Sequence, residues 1–174
     1  MIEYLLASFL MVSEPDYIKD LTVGQKEDWY LIQTQCLADN VYHEARNQGT
    51  AGQLAVINVT MNRVNDSRFP NTVCDVVKQG PHRKSWKDPT KYYPIKHKCQ
   101  FSWYCDGKSD TTHDMKSYEP IWDLSYQVLS QGIRVPDITD GATFYHADYV
   151  SPSWANYKTK TIEIEDHIFY RWEK

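Results

Sequence analysis

Between residues 26 and 47 apolar side chains recur at helical spacing. Trp29, Ile32, Cys36 and Asn40 make one i, i+3/i+4 row, and Leu37, Val41 and Ala45 make its neighbour. The pattern predicts an amphipathic helix that stops at Asn47-Gln48-Gly49. A second helix is expected from Thr50, where Thr50 and Gln53 have capping-box spacing, with Leu54, Ile57, Asn58, Met61 and Val64 on its inner face. So little chain separates the two that they should pack as an αα-hairpin. A short third helix over 72–79 opens on a Thr72/Asp75 box and ends at Gly80-Pro81. Residues 81–116 are polar, Lys-rich and aromatic without a sustained period, which predicts a long structured loop. Periodicity returns from Ser117 to Gln131, with Ile121, Trp122, Leu124, Val128 and Leu129 inward and Gly132 as the stop. Thr143-Phe144-Tyr145 reads as a short strand. The alternation from Lys160 to Glu165, followed by His167 to Trp172, reads as a terminal hairpin. The fold class is α+β, mainly helical, with a small β element.

One residue breaks the first helical stripe. Glu44 lies four after Asn40 and three after Val41, so it should point where the apolar stripe points. A carboxyl there is either a structural ion pair, with Arg46 or Arg63 as partner, or a proton donor. Burial disfavours the charged form and raises the pKa, and a carboxyl kept protonated near neutrality can protonate a leaving oxygen.

Composition sets limits around that residue. At 174 residues the chain fits one domain with a real core. The 13 Tyr, 6 Trp and 5 Phe are enough to line a groove for sugars or bases as well as a core. A net charge of −4 argues against nucleic acid, whose phosphates call for a basic surface. A local basic patch runs from His82-Arg83-Lys84 to Lys98 and can still meet an anionic polymer. No segment has the length of a membrane span. Ile2 to Val12 is apolar and short, and Glu3 stands where a signal sequence would carry a base. Residues 1–25 are therefore expected as an N-terminal segment, a packed helix or a weak signal-like stretch, ahead of a single domain over 26–174. Cys36, Cys74, Cys99 and Cys105 form no CxxC pair and allow two disulfides in three connectivities. Cys99 and Cys105 flank a short aromatic loop they can close. Cys36, inside a helical pattern, is expected as a buried thiol.

Six short elements in order resemble the SleB-type cell wall hydrolases of spore germination, wall turnover and phage lysis. They are Tyr42-His43-Glu44-Ala45-Arg46, Gly52-Gln53-Leu54-Ala55-Val56, Asn62-Arg63-Val64, Phe69-Pro70, Gln100-Phe101-Ser102 and Ala142-Thr143-Phe144-Tyr145. Each is weak alone; together they cover most of the span from 37 to 154. The resemblance implies a lysozyme-like fold with a groove for a glycan strand and Glu44 as the catalytic acid. It implies cleavage between N-acetylmuramic acid and N-acetylglucosamine, as a lytic transglycosylase that closes the muramoyl 6-hydroxyl onto C1. A hydrolytic muramidase would need a second acid, for which Asp106, Asp140 and Asp148 are candidates. The partner implied is peptidoglycan, met at the bacterial cell wall by a monomer with no cofactor and no stable membrane insertion. A lone catalytic domain without a wall-binding repeat would suit a phage lysin. Where many members continue to Arg-Gly-Glu, this chain has Arg46-Asn47-Gln48-Gly49 and lacks that second acid.

The remaining candidates are substrate contacts. Gln100 and Ser102 share a face if extended, with Trp103 beside them and Phe101 turned to the core. Thr143 and Tyr145 share one strand face, and Phe144 and His146 share the other. Tyr145 is placed to bond substrate or steady Glu44. Trp154 and Tyr157 are sugar-stacking or packing rings. Three other readings compete with a glycan-cleaving acid. A zinc amidase would use His43-Glu44, but an HExxH helix needs His where Asn47 stands, so ligands would have to come from His97, His113 and His146. A cysteine nucleophile would favour Cys74, near a helix start. A non-catalytic wall-binding module would not depend on Glu44.

Overall fold

The computed structural model describes residues 15–130, 133 and 135–173. The apolar run Ile2–Val12 and the expected stop at Gln131-Gly132 lie outside the described residues. Helix α1 (Asp16–Lys19) leads into the long α2 (Val23–Ala45). Helix α2 starts earlier than its apolar period because Thr22 caps it. Thr22 Oγ1 accepts from the Gln25 amide, and the Gln25 side chain accepts from the Thr22 amide.

The centre of the molecule is α2, which packs on α3 (Thr50–Val64), α4 (Val73–Val77) and α5 (Met115–Ser130). Leu37, Ala38, Val41 and Ala45 are fully buried in one cluster with Ile57, Met61, Val76 and Ile121. The αα-hairpin forms as the period predicts, although Leu54 is only partly buried. The expected Thr50/Gln53 box does not form. Gly49 is the cap residue, and its amide and that of Gly52 donate to the Glu165 carboxylate at 2.8 and 3.2 Å. A carboxylate at a helix start also meets the positive end of the helix dipole. The cap thus comes from a turn more than a hundred residues away, which no local pattern reveals.

Helix α4 keeps its Thr72 cap and is shorter than expected. Residues 81–116 hold more structure than the missing period suggests. Strands β1 (His82–Lys84) and β2 (Tyr92–Pro94) pair antiparallel, and a 3-10 turn spans Ser102–Cys105. Alternation is missing because neither strand has a buried residue. Near the C-terminus, β3 (Phe144–Ala147), β4 (Thr159–Ile164) and β5 (His167–Arg171) form an antiparallel sheet in the order β3-β5-β4. Phe169 of β5 and Ala142, just before β3, pack on Ala55 and Val59 of α3.

The cysteine expectation divides. Cys99 and Cys105 are bridged as the short loop allows. Cys36 is not a free thiol: it is bonded to Cys74 and ties α2 to α4. Helical period places Cys36 on an inner face but says nothing of which helix crosses there.

Candidate active site

A cleft of about 960 Å³ opens between the C-terminal end of α2, the 100–114 segment and the sheet. Glu44 sits half-buried at its floor, one residue before α2 ends. Its neighbours Val41 and Ala45 are buried in the core, so the helix presents Glu44 at the boundary between core and cleft. Tyr145 on β3 donates its hydroxyl to Glu44 Oε2 at 2.7 Å. Burial pushes the Glu44 pKa above the usual carboxylate value, and the Tyr145 hydrogen bond and the Arg63 charge only partly oppose that rise. The negative end of the α2 dipole acts in the same direction as burial. Among the described residues no ion pair to Glu44 from Arg46 or Arg63 forms within direct contact distance, although the Arg63 charge is felt at the carboxyl.

Arg63 explains why the sequence elements lie so far apart. It is buried on α3, its Nε donates to the Thr143 carbonyl at 2.7 Å, and burial lowers its pKa to about 10. It remains a cation at neutral pH. Its guanidinium lies over the rings of Phe69, Phe101 and Phe144, at 5.4, 4.9 and 5.4 Å from their centroids. Those three rings come from three separate sequence elements, so the elements meet around one cation. The preceding residue, Asn62, donates to the Ala142 carbonyl at 2.9 Å and to Asp137 at 3.1 Å. Asp137 in turn accepts from the Gly141 amide, where φ is +73° and a side chain would be strained. Asn62 and Arg63 therefore fix both sides of the turn into β3, and β3 delivers Tyr145 to Glu44.

The other expected contacts divide by position. Gln100 and Ser102 are exposed on the cleft wall, with Phe101 buried behind them. Trp103 also lines the cleft. Its indole donates to Asn40 Oδ1 at 2.9 Å and its ring stacks on His43 at 4.4 Å. His146 lines the cleft with Nε2 3.0 Å from the Tyr170 hydroxyl. Thr143 does not reach the cleft: it is buried behind β3, and only its backbone takes part, through Arg63. Trp154 packs on Phe144, His146 and Tyr170, while Tyr157 is exposed away from the cleft. Of the three candidate second acids only Asp106 lines the cleft. Asp140 instead pairs with Arg171 at 2.9 Å.

Sequence reasoning missed several lining groups. Asp110 lines the cleft, where burial raises its pKa. His167 lines it too; burial lowers its pKa and Nδ1 lies 3.1 Å from the Gln48 amide. Gln48 thus has a role in this chain at the place where the family pattern expects an acid. The 106–114 loop has no period to betray it, and only its proximity to the Gln100-Phe101-Ser102 element could have signalled it. All four cysteines are bridged. Among the described residues no three His, Cys, Asp or Glu side chains gather as a metal site.

A helical body with a small antiparallel sheet flanking a cleft, and one desolvated carboxyl at its floor, defines a lysozyme-like α+β domain. Residues 47–170 match the Cell Wall Hydrolase family, and the chain belongs to that family. The matched span begins after Glu44. Over 136 residues the chain is 27% identical to a spore cortex-lytic enzyme of Halalkalibacterium halodurans, a match that takes in 78% of this chain. It spans about a third (33%) of that curated relative's length. Two solved structures share the fold. The catalytic domain of the Bacillus cereus SleB protein matches with a TM-score of 0.52 and 26% identity, over 80% of this chain and 89% of that one. The catalytic domain of the germination-specific lytic transglycosylase SleB from Bacillus anthracis matches at 0.54 and 25%, over 80% and 93%. The SleB-type resemblance read from the six elements is thereby established.

Proposed function

We propose that the protein cleaves peptidoglycan glycan strands between N-acetylmuramic acid and N-acetylglucosamine, as a lytic transglycosylase run by Glu44. The observation that carries this reading is the Tyr145–Glu44 hydrogen bond in the cleft, on a carboxyl whose pKa is raised by burial. Tyr145 occupies Oε2 and leaves Oε1 to hold the acid proton. In the first half, Glu44 gives that proton to the glycosidic oxygen as its bond to the muramoyl C1 breaks. In the second half, the carboxylate, steadied by Tyr145 and the Arg63 charge, takes the proton of the muramoyl 6-hydroxyl as that oxygen bonds to C1. The proton lost is regained, no water is consumed, and the product carries a 1,6-anhydro ring. Gln100, Ser102 and Trp103 on one wall and His146 on the other are the proposed sugar contacts. The place of action is the bacterial cell wall, and a monomer suffices because one chain holds every group named.

Mass spectrometry of soluble products from purified peptidoglycan tests this directly. The wild type should release fragments ending in 1,6-anhydromuramic acid, and Glu44→Gln should release none. Reducing muramoyl ends would instead mean hydrolysis, with Asp106 and Asp110 as the first acids to replace. Released peptides with intact glycan would overturn the reading.

A further inference from the structure

The β1–β2 hairpin takes no part in the cleft, and its composition differs from that of the rest of the chain. Residues 82–98 carry six Lys or Arg against one Asp, a net +5 inside a chain of net −4. Arg83, Lys84, Lys87, Lys96 and Lys98 are all exposed. So are three aromatic rings: Trp86 at 83%, Tyr92 at 56% and Tyr93 at 48%. Lys84 pairs with Tyr92 across the strands and Arg83 with Tyr93, so each face of the ribbon offers one cation and one ring. Lys87 Nζ also lies 5.1 Å from the Trp86 ring centre. A two-stranded ribbon without a buried face gains little from folding alone. Here the neck is held from outside: Cys99 is bonded to Cys105, and the amides of Ile95 and His97 donate to the carbonyls of Pro81 and Cys105. The same neck leads into Gln100, Ser102 and Trp103 on the cleft wall.

We propose that this hairpin is a second binding surface, outside the cleft, for the acidic peptide stems and sugar faces of peptidoglycan. This rests on the proposed function for its choice of polymer. Both features of the ribbon are then used by one partner. Lysines and Arg83 meet stem carboxylates, and exposed rings lie flat against sugar rings. Charge complementarity favours it, since the basic residues of the hairpin are opposite in sign to the stem carboxylates. A strand held by the hairpin lies beside the cleft wall, so anchoring raises the local concentration of bonds to be cut.

The test uses the full chain carrying Glu44→Gln, which should bind without cleaving, in co-sedimentation with purified sacculi at rising salt. Binding should weaken steadily with salt, because exposed pairs are screened. Adding Arg83→Glu, Lys84→Glu and Lys87→Glu should weaken it about tenfold, and Trp86→Ala, at a position too exposed to affect folding, about threefold. Sacculi stripped of their peptide stems should be bound as weakly as intact sacculi are by the triple variant. Equal binding by parent and triple variant would overturn the proposal, as would equal binding to stripped sacculi. So would a parent that sediments with phosphatidylglycerol vesicles and not with sacculi. Failure of the proposed function reads differently: Glu44→Gln would still cleave, whatever the hairpin variants bind.

Discussion

The floor of the cleft and the β1–β2 hairpin follow opposite physical rules. At the floor, Arg63 is buried and Glu44 half-buried, among rings and hydrogen-bond partners drawn from four elements. Charges there are costly to desolvate, and Glu44 is met by the Tyr145 hydroxyl and Arg63 by the Thr143 carbonyl and three rings. On the hairpin, charges and rings stand in water and answer mainly to one another. Chemistry needs the first arrangement, because removing water is what shifts the Glu44 proton affinity. Capture of a large polymer needs the second, because an exposed surface can meet its partner without rearranging.

The hardest break of the floor is Glu44→Gln, which keeps shape and removes the titrating proton. Cleavage should fall about 10³-fold or more, equivalent to about 4 kcal/mol of barrier. The same variant has a stability signature. Because the folded carboxyl titrates above its ordinary 4.5, the folded protein holds a proton that the unfolded chain releases. Stability from this group therefore declines as pH rises from the ordinary value through the raised one. Melting curves should show Glu44→Gln gaining on the wild type as pH rises above the ordinary carboxylate value of 4.5. A gap independent of pH would mean that Glu44 is not desolvated.

Arg63→Ala comes next. It empties the space between three rings and strands the Thr143 carbonyl, so it should cost roughly 3–4 kcal/mol in denaturant unfolding and release β3. Replacing both Cys36 and Cys74 by Ser removes a cross-link between residues 38 apart and should cost about 3 kcal/mol. Replacing Cys99 and Cys105 opens a loop of only 6 and should cost less, while loosening the hairpin neck. Equal losses from the two pairs would show that the hairpin is part of the cooperative core.

Tyr145→Phe is the finest cut. It should slow turnover about tenfold, as loss of one hydrogen bond to a reacting group does. The acid step needs protonated Glu44, so activity falls as pH rises through its pKa. Tyr145 holds that pKa down against burial, so the alkaline limb of the rate profile should move to higher pH in the variant. A slower enzyme with an unmoved limb would make Tyr145 a substrate contact instead.

Much of this molecule was legible along the chain. The period of α2 and α3 gave the αα-hairpin, and Glu44 on the inner stripe was visible as an anomaly. The six elements gave the family, and alternation gave the terminal hairpin. These are local properties: a helix repeats every 3.6 residues whatever packs against it. What the chain alone did not disclose are the long-range partners. Glu165 caps α3, Cys74 meets Cys36, and Arg63 gathers Phe69, Phe101 and Phe144. Thr143 shares a strand face with Tyr145 in sequence, yet the packing of β3 on Arg63 buries one and opens the other to the cleft. Sequence determined which residues could carry chemistry. The tertiary structure decided which of them lose water and which carboxyl they surround, because desolvation depends on neighbours that the chain brings in from far away.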